Sequence, residues 1–278
     1  MNSTKVESIT RRRLRHIGIF LSALALALSL VWLQHNSLGD TGFSTGYVLL
    51  GAVVFLALYS LRKRLSVLRF LGSSSAWLHL HIYIALGSFV FFLVHIGFRI
   101  PQGPLEQLLA VMFVMISSSG VYGLYITRVY PKRLTATKQE YIFEQLPVQQ
   151  RALMLEAKQI VLQASTQSDT LTDFYMSRLL PFFTQSRSLW YLAFPTGRTR
   201  RELMQDLRKL DRYLALELRP SAMSLGRLVQ KKDDMDFHFA LQGKLKLWLF
   251  FHIGCTYALL VLAALHTVLA HAFDGGLR

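Results

Sequence analysis

The chain has one cysteine in 278 residues, Cys255, and it lies inside an apolar run. A single thiol excludes an intramolecular disulfide, a Cys-x-x-Cys-His haem attachment and an iron–sulfur cluster. Any redox cofactor must therefore be held by other side chains. Acidic residues are scarce, with 16 Asp and Glu against 31 Lys and Arg and a net charge of +15. The sequence has no glycine-rich phosphate loop, no dinucleotide fingerprint and no alternating strand pattern. It also lacks an internal repeat at a period of about 20–50 residues.

Apolar residues are abundant. They make up 52% of the chain, and the mean hydropathy is +0.34. They gather into five runs at 17–34, 45–61 (with a start as early as Phe43), 76–98, 107–126 and 247–270. Each is close to the roughly 20 residues that cross a bilayer as a helix. The first follows RRRLR at 11–15, as a signal peptide would. It ends VWLQHNS with no small-x-small cleavage site, so it reads as a span.

The basic residues take sides. Lys5, Arg11, Arg12, Arg13 and Arg15 precede the first run, and Arg62, Lys63, Arg64 and Arg69 follow the second. Arg128, Lys132 and Arg133 follow the fourth, and Lys244 and Lys246 precede the fifth. The opposite ends carry only Arg99 and Arg278. This is a positive-inside pattern. It assigns the N-terminus and residues 128–246 to the cytoplasm and the C-terminus to the outside. The basicity then serves topology and contact with membrane lipid, and no nucleic-acid partner is expected. The expected fold is an all-α integral membrane protein. Helices one to four occupy 1–127, a helical cytoplasmic segment 128–246, and helix five with a short external tail 247–278. The expected location is a bacterial-type inner (plasma) membrane.

The 128–246 segment mixes 20 Lys and Arg with 12 Asp and Glu. Pro147 suits the first turn of a helix through VQQRALMLEAKQIVLQA. Leu203, Leu207, Leu210, Leu214 and Leu218 recur at helical spacing, a stripe that suits either the segment's own core, which is the expectation, or a docked partner. The aromatic stretch SLWYLAFPTG at 188–197 suits a membrane surface. DFYMSRLLPFF at 173–183 and KKDDMDFHFALQGKLKLW at 231–248 are places where a docked partner or the membrane could be met.

Four of the nine histidines fall well inside the apolar runs: His81, His95, His252 and His266. Ionisable side chains at membrane depth are costly and point to function. His81 to His95 is 14 residues, and so is His252 to His266. At about 100° per residue, 14 steps return to within about 40° of the same face, roughly 21 Å further along. Helices three and five run in the same direction. His81 is then level with His252, and His95 with His266. Other choices break the match, because His79 and His95 are about 160° apart and His266 and His271 about 140°. Two stacked pairs of facing imidazoles suit bis-histidine haem iron, with the porphyrin filling the space between helices. A zinc or copper site suits them poorly, because two histidines alone leave it incomplete. Gly87 is a candidate for close approach by a porphyrin, and SSSGVYG at 117–123 for that or for helix packing. Arg99, four residues after His95, is the candidate for an outer propionate. For the inner one the candidates are Arg62, Lys63, Arg64, Arg69, Lys244 and Lys246.

HLHIYIALGSFVFFLVH at 79–95 and FHIGCTYALLVLAALH at 251–266 resemble the paired haem-binding helices of di-haem b-type membrane cytochromes. The nearest likeness is to the transmembrane part of ferric reductases and NADPH oxidases. It covers about half the chain. The resemblance implies His81, His95, His252 and His266 as axial ligands of two haem b groups, and transmembrane electron transfer as part of an oxidoreductase system. This chain differs from that family in having five predicted helices and a long insertion, and it is not expected to carry its own flavin. A separate electron donor is therefore expected, either a cytoplasmic flavoprotein or a quinol. The acceptor stays open among ferric iron, oxygen, a quinone and a periplasmic carrier. The alternative is a haem-free membrane scaffold or partner-binding protein whose histidines pack or handle protons.

Overall fold

The structure is a computed structural model that describes residues 3–36, 41–64, 73–137, 139–165 and 169–274. Helix dominates, and no strand occurs among the described residues. Five helices are long and apolar enough to cross a membrane. They are α1 (Ser3–Asn36), α2 (Thr41–Arg64), α3 (Ser74–His95), α4 (Pro104–Thr135) and α10 (Arg219–Asp274). Shorter helices lie between the last two: α5 (Leu146–Ala164), α6 (Asp169–Phe174), α7 (Leu180–Thr184), α8 (Leu189–Ala193) and α9 (Arg198–Leu210). The chain divides into two compact units, one of Met1–Tyr122 with Phe250–Arg278 and the other of Gly123–Leu249.

In the first unit, local chemistry sets the helix ends. Ser73 caps α3, its hydroxyl accepting from the Ala76 N–H at 3.2 Å. Gly97 ends it. With φ +58° it takes the left-handed conformation, its N–H donates to the Val94 carbonyl, and the Phe98 N–H donates to Leu93. These two bonds form a Schellman closure. Phe98 also has positive φ, +55°. The apolar core here is small, built on Leu49, Val53, Phe91, Phe92, Phe113 and Leu259. The Phe92 and Phe113 rings stack at 4.4 Å. Most other apolar side chains face outward, among them Leu26, Leu30 and Trp32 on α1 and Val261 and Val268 on α10.

The second unit has a deep core. Leu146, Leu153, Leu171, Leu179, Leu225 and Val229 are almost wholly buried in it. Pro147 sits in the first turn of α5, as its missing N–H allows. Leu203, Leu207, Leu214 and Leu218 are buried in this core with Leu210 packed against it, so the leucine stripe is internal. The helix itself stops at Leu210, and Leu214 and Leu218 reach the core from the turn and short 3₁₀ segment that follow. Gly123 is where α4 meets α10 within this unit. A Cβ there would come within 1.9 Å of the Trp248 ring, so the close approach requires glycine.

Two segments named as places where a partner or the membrane could be met also contribute to this core. In 231–248, Lys232, Asp233, Met235, Asp236 and His238 are buried. Their charges are paired, which is how a polar stretch can be internal. Lys232 Nζ contacts Asp236 at 2.5 Å, and Arg187 bridges Asp236 at 2.7 Å and Asp233 at 3.0 Å. In 173–183, Tyr175, Leu179, Phe182 and Phe183 are buried.

Candidate functional site

The site lies in the first unit, between α3 and α10. The structure brings His81 and His252 within electrostatic reach of each other, and likewise His95 and His266. His95 and His266 line one cavity of about 390 Å³. Its wall is mostly apolar, including Leu49, Val53, Phe92, Phe113 and Leu259.

The hydrogen bonds around His95 fix its tautomer. Thr45 Oγ1 lies 2.6 Å from the Thr41 carbonyl and 3.1 Å from that of Gly42, so the hydroxyl proton goes to the backbone. The same oxygen is 3.0 Å from His95 Nδ1, and it must therefore accept from an Nδ1–H. This leaves the lone pair on Nε2. Thr45 is 1% exposed, so the arrangement is shielded from water. A Cβ on Gly46 would meet His95 Cε1 at 3.2 Å, so α2 approaches the ring closely there.

At the other level, His252 Nδ1 lies 3.2 Å from Ser119 Oγ, and a Cβ on Gly120 would meet its Cε1 at 3.7 Å. His81 Nδ1 is buried with no hydrogen-bond partner among the described residues. The Tyr59 ring lies beside it, with centroids 5.0 Å apart. The small residues of α4 thus divide their roles. Ser119 and Gly120 border His252, whereas Gly123 takes up Trp248.

The remaining histidines of the region have other partners. His79 is exposed and its Nδ1 donates to the Ser75 carbonyl at 2.7 Å. His271 also borders the cavity, but both its nitrogens are engaged. Nδ1 donates to the Thr267 carbonyl at 2.8 Å, and Nε2 accepts from the Tyr47 hydroxyl at 2.6 Å.

Two further sequence candidates lie away from the described cavity. Arg99 is not carried onto the face of His95, because α3 ends at His95 and the left-handed pair Gly97–Phe98 turns the chain first. Arg99 is exposed and is not among the residues lining the cavity. Gly87 is opposite α1, where a Cβ would make ordinary contact with the Phe20 ring at 3.6 Å. Of the inner propionate candidates, Arg69 and the side chains of Arg62, Lys63 and Arg64 lie outside the described residues, as does Arg278. Lys244 and Lys246 are engaged by the Ala193 carbonyl and Glu144.

Ser119 on α4 falls in the SSSGVYG stretch that the sequence singled out, whereas Thr45, Gly46 and Tyr47 on α2 were missed as site residues. The signal for them is the run of small and hydroxyl residues TGFSTG at 41–46, which matches SSSG at 117–120 in kind. No group of three or more His, Cys, Asp or Glu suited to a metal occurs among the described residues. Compared with known proteins, the chain matches no family model, no curated sequence and no solved structure.

Proposed function

We propose that the chain is an integral-membrane di-haem b cytochrome, an electron-transfer subunit of a ferric-reductase-like or quinol-linked oxidoreductase system. The observation that carries the reading is that His81 lies within electrostatic reach of His252 and His95 of His266, at levels 14 residues apart on α3 and α10, with His95 and His266 lining one cavity. The residues fit the group. Bis-histidine ligation needs only two side chains per iron. The cavity at the outer pair lies within the roughly 300–1,000 Å³ range of cofactor sites and has an apolar wall. When bound, each haem supplies an iron that gains and loses one electron.

The chain's own residues have defined tasks in this reading. His81 and His252 hold the inner group, and His95 and His266 the outer. Thr45 sets the His95 tautomer and raises its basicity by accepting from Nδ1–H. Phe92, Phe113, Leu49 and Leu259 keep water from the outer group. The N-terminus and the second unit lie in the cytoplasm, where a separate flavoprotein or a membrane quinol is the donor. The apolar helices cross a bacterial-type inner membrane.

The test is a reduced-minus-oxidised visible spectrum of the purified protein with a pyridine haemochrome count. Two b haems per chain are expected, with His95→Ala and His81→Ala each removing about one. A colourless protein from haem-replete cells would refute the proposal and leave the histidines as packing or proton-handling groups.

A further inference from the structure

One surface of the second unit is unlike the rest. At α8 and its C-cap, Leu189, Trp190 and Phe194 are 83%, 79% and 68% exposed. These residues are not loosely held. Ser188 caps the turn by accepting from the Tyr191 N–H at 3.3 Å. Tyr191 points inward under the Arg187 guanidinium, 4.7 Å from its ring centroid, while the Trp190 and Phe194 rings stack at 6.2 Å as one outward edge.

Lys244 fixes where this edge lies. Its ammonium donates to the Ala193 carbonyl and sits 6.0 Å from the Phe194 ring centroid and 5.6 Å from that of Tyr130. Lys244 is three residues before the fifth apolar run, about 4.5 Å along α10. Tyr130 is four residues past the end of the fourth run, about 6 Å along α4. Outward apolar side chains begin on α10 at Leu247, 70% exposed. The edge is therefore tethered to α10 at a residue about one helical turn from where that helix would enter hydrocarbon, with Tyr130 of α4 beside the same ammonium. Arg128, Lys132 and Arg133, all exposed, follow the fourth run at this level.

We propose that Leu189, Trp190 and Phe194 insert into the headgroup–acyl boundary of the same membrane, so that the second unit is seated on anionic lipid. The inference rests on the membrane-spanning reading of α4 and α10. Continuity with the spans selects lipid over a soluble partner. Tryptophan beside basic side chains is the composition of a membrane interface.

The test uses the full chain with Cys255→Ser, reconstituted in vesicles of phosphatidylethanolamine and phosphatidylglycerol. A single polarity-sensitive fluorophore is attached through Leu189→Cys, Met223→Cys or Val261→Cys. Nitroxide lipids then carry the quencher at the headgroup, high on the acyl chain or at the bilayer centre. Val261 is 69% exposed within the fifth run, and Met223, 64% exposed, lies about 32 Å from Lys244 along α10. The Leu189 label is expected to emit at shorter wavelength than the Met223 label. It should lose intensity to the shallow nitroxides, while the Val261 label loses it to the deep one and the Met223 label to none. A Leu189 label as water-exposed as Met223, with Val261 still deeply quenched, would overturn this inference alone. A blue-shifted Leu189 label that no nitroxide quenches would overturn it in favour of a protein contact. An unquenched Val261 label would overturn the span reading and this inference with it.

Discussion

The two units bury opposite kinds of side chain. In the first, apolar side chains such as Leu26 and Val261 face outward, while Thr45, Ser88 and Ser119 are buried and each histidine of α3 lies within electrostatic reach of one on α10. In the second, leucines fill the interior, and the buried charges Lys232, Asp233 and Asp236 are tied to Arg187. The difference follows from the solvent each unit suits. In lipid an outward leucine costs nothing, and a polar group finds partners only inside. In water the outward leucine costs apolar hydration, and polar groups come inside only when paired.

The sharpest way to break this comparison is to strip one partner from the paired charges. Asp236 accepts from Lys232, Arg187 and Gln150. Asp236→Ala leaves Lys232, 3% exposed, without its bridge and should destabilise the second unit by about 3–5 kcal/mol. Lys232→Met should cost less, because Asp236 keeps Arg187 and Gln150. Chemical denaturation of the reconstituted protein, followed by helicity, measures both. Equal costs would show that the network is not organised around Asp236.

The same truncation in the two units makes a second test. Leu179 is 0% exposed, and Leu179→Ala should cost about 2–5 kcal/mol through lost burial and a residual cavity. Val261→Ala removes methyl groups from an outward face and should change stability by less than about 0.5 kcal/mol in a bilayer. A large loss at Val261 would mean that this face packs on protein.

A finer prediction concerns the histidine pairs. Thr45→Val keeps the shape of the side chain and removes the acceptor of the His95 Nδ1–H. Loss of such a partner typically weakens metal binding about 10–100-fold. On the proposed di-haem reading, the outer haem should then dissociate at lower competitor concentration, with the inner haem unchanged in a haem-transfer assay to apomyoglobin. An equal change in both would show that Thr45 acts on the bundle as a whole.

These contrasts also explain what was legible in the sequence. The five apolar runs could be read because an outward-facing span carries its signal in composition and needs no tertiary partner. The true ends of α4 and α10 were hidden, because hydropathy marks only the stretch suited to hydrocarbon, whereas backbone hydrogen bonding continues to Thr135 and begins at Arg219. The end of α3 was readable in HIGF, where Gly97 supplies the left-handed closure, and overlooking it misplaced Arg99. The 14-residue spacing is local to each helix and could be counted. Thr45 could not be found that way, since it meets His95 across 50 residues of chain. KKDDMDF misled for a related reason: its charges look exposed until Arg187, 46 residues away, is seen to pair with them.

The smallest expected effect separates the buried histidine of the second unit from those of the first. His238 is 3% exposed, and both its nitrogens are used. Thr137 Oγ1 gives its proton to the Leu134 carbonyl at 2.6 Å and so accepts from His238 Nε2–H, also at 2.6 Å. Nδ1 then accepts from the Gln242 amide at 3.3 Å, and the Tyr141 ring stands edge-on at 4.9 Å. Burial holds the His238 pKa below its usual value of 6.5. The unfolded chain therefore binds a proton at a higher pH than the folded one. Stability is full above about pH 6.5, falls as the pH drops below it, and levels off below the folded-state pKa. His238→Gln should remove this part of the acid slope while lowering stability at neutral pH. An unchanged slope in that variant would mean that other groups of the second unit carry its acid sensitivity, and that His238 is not held neutral by its surroundings.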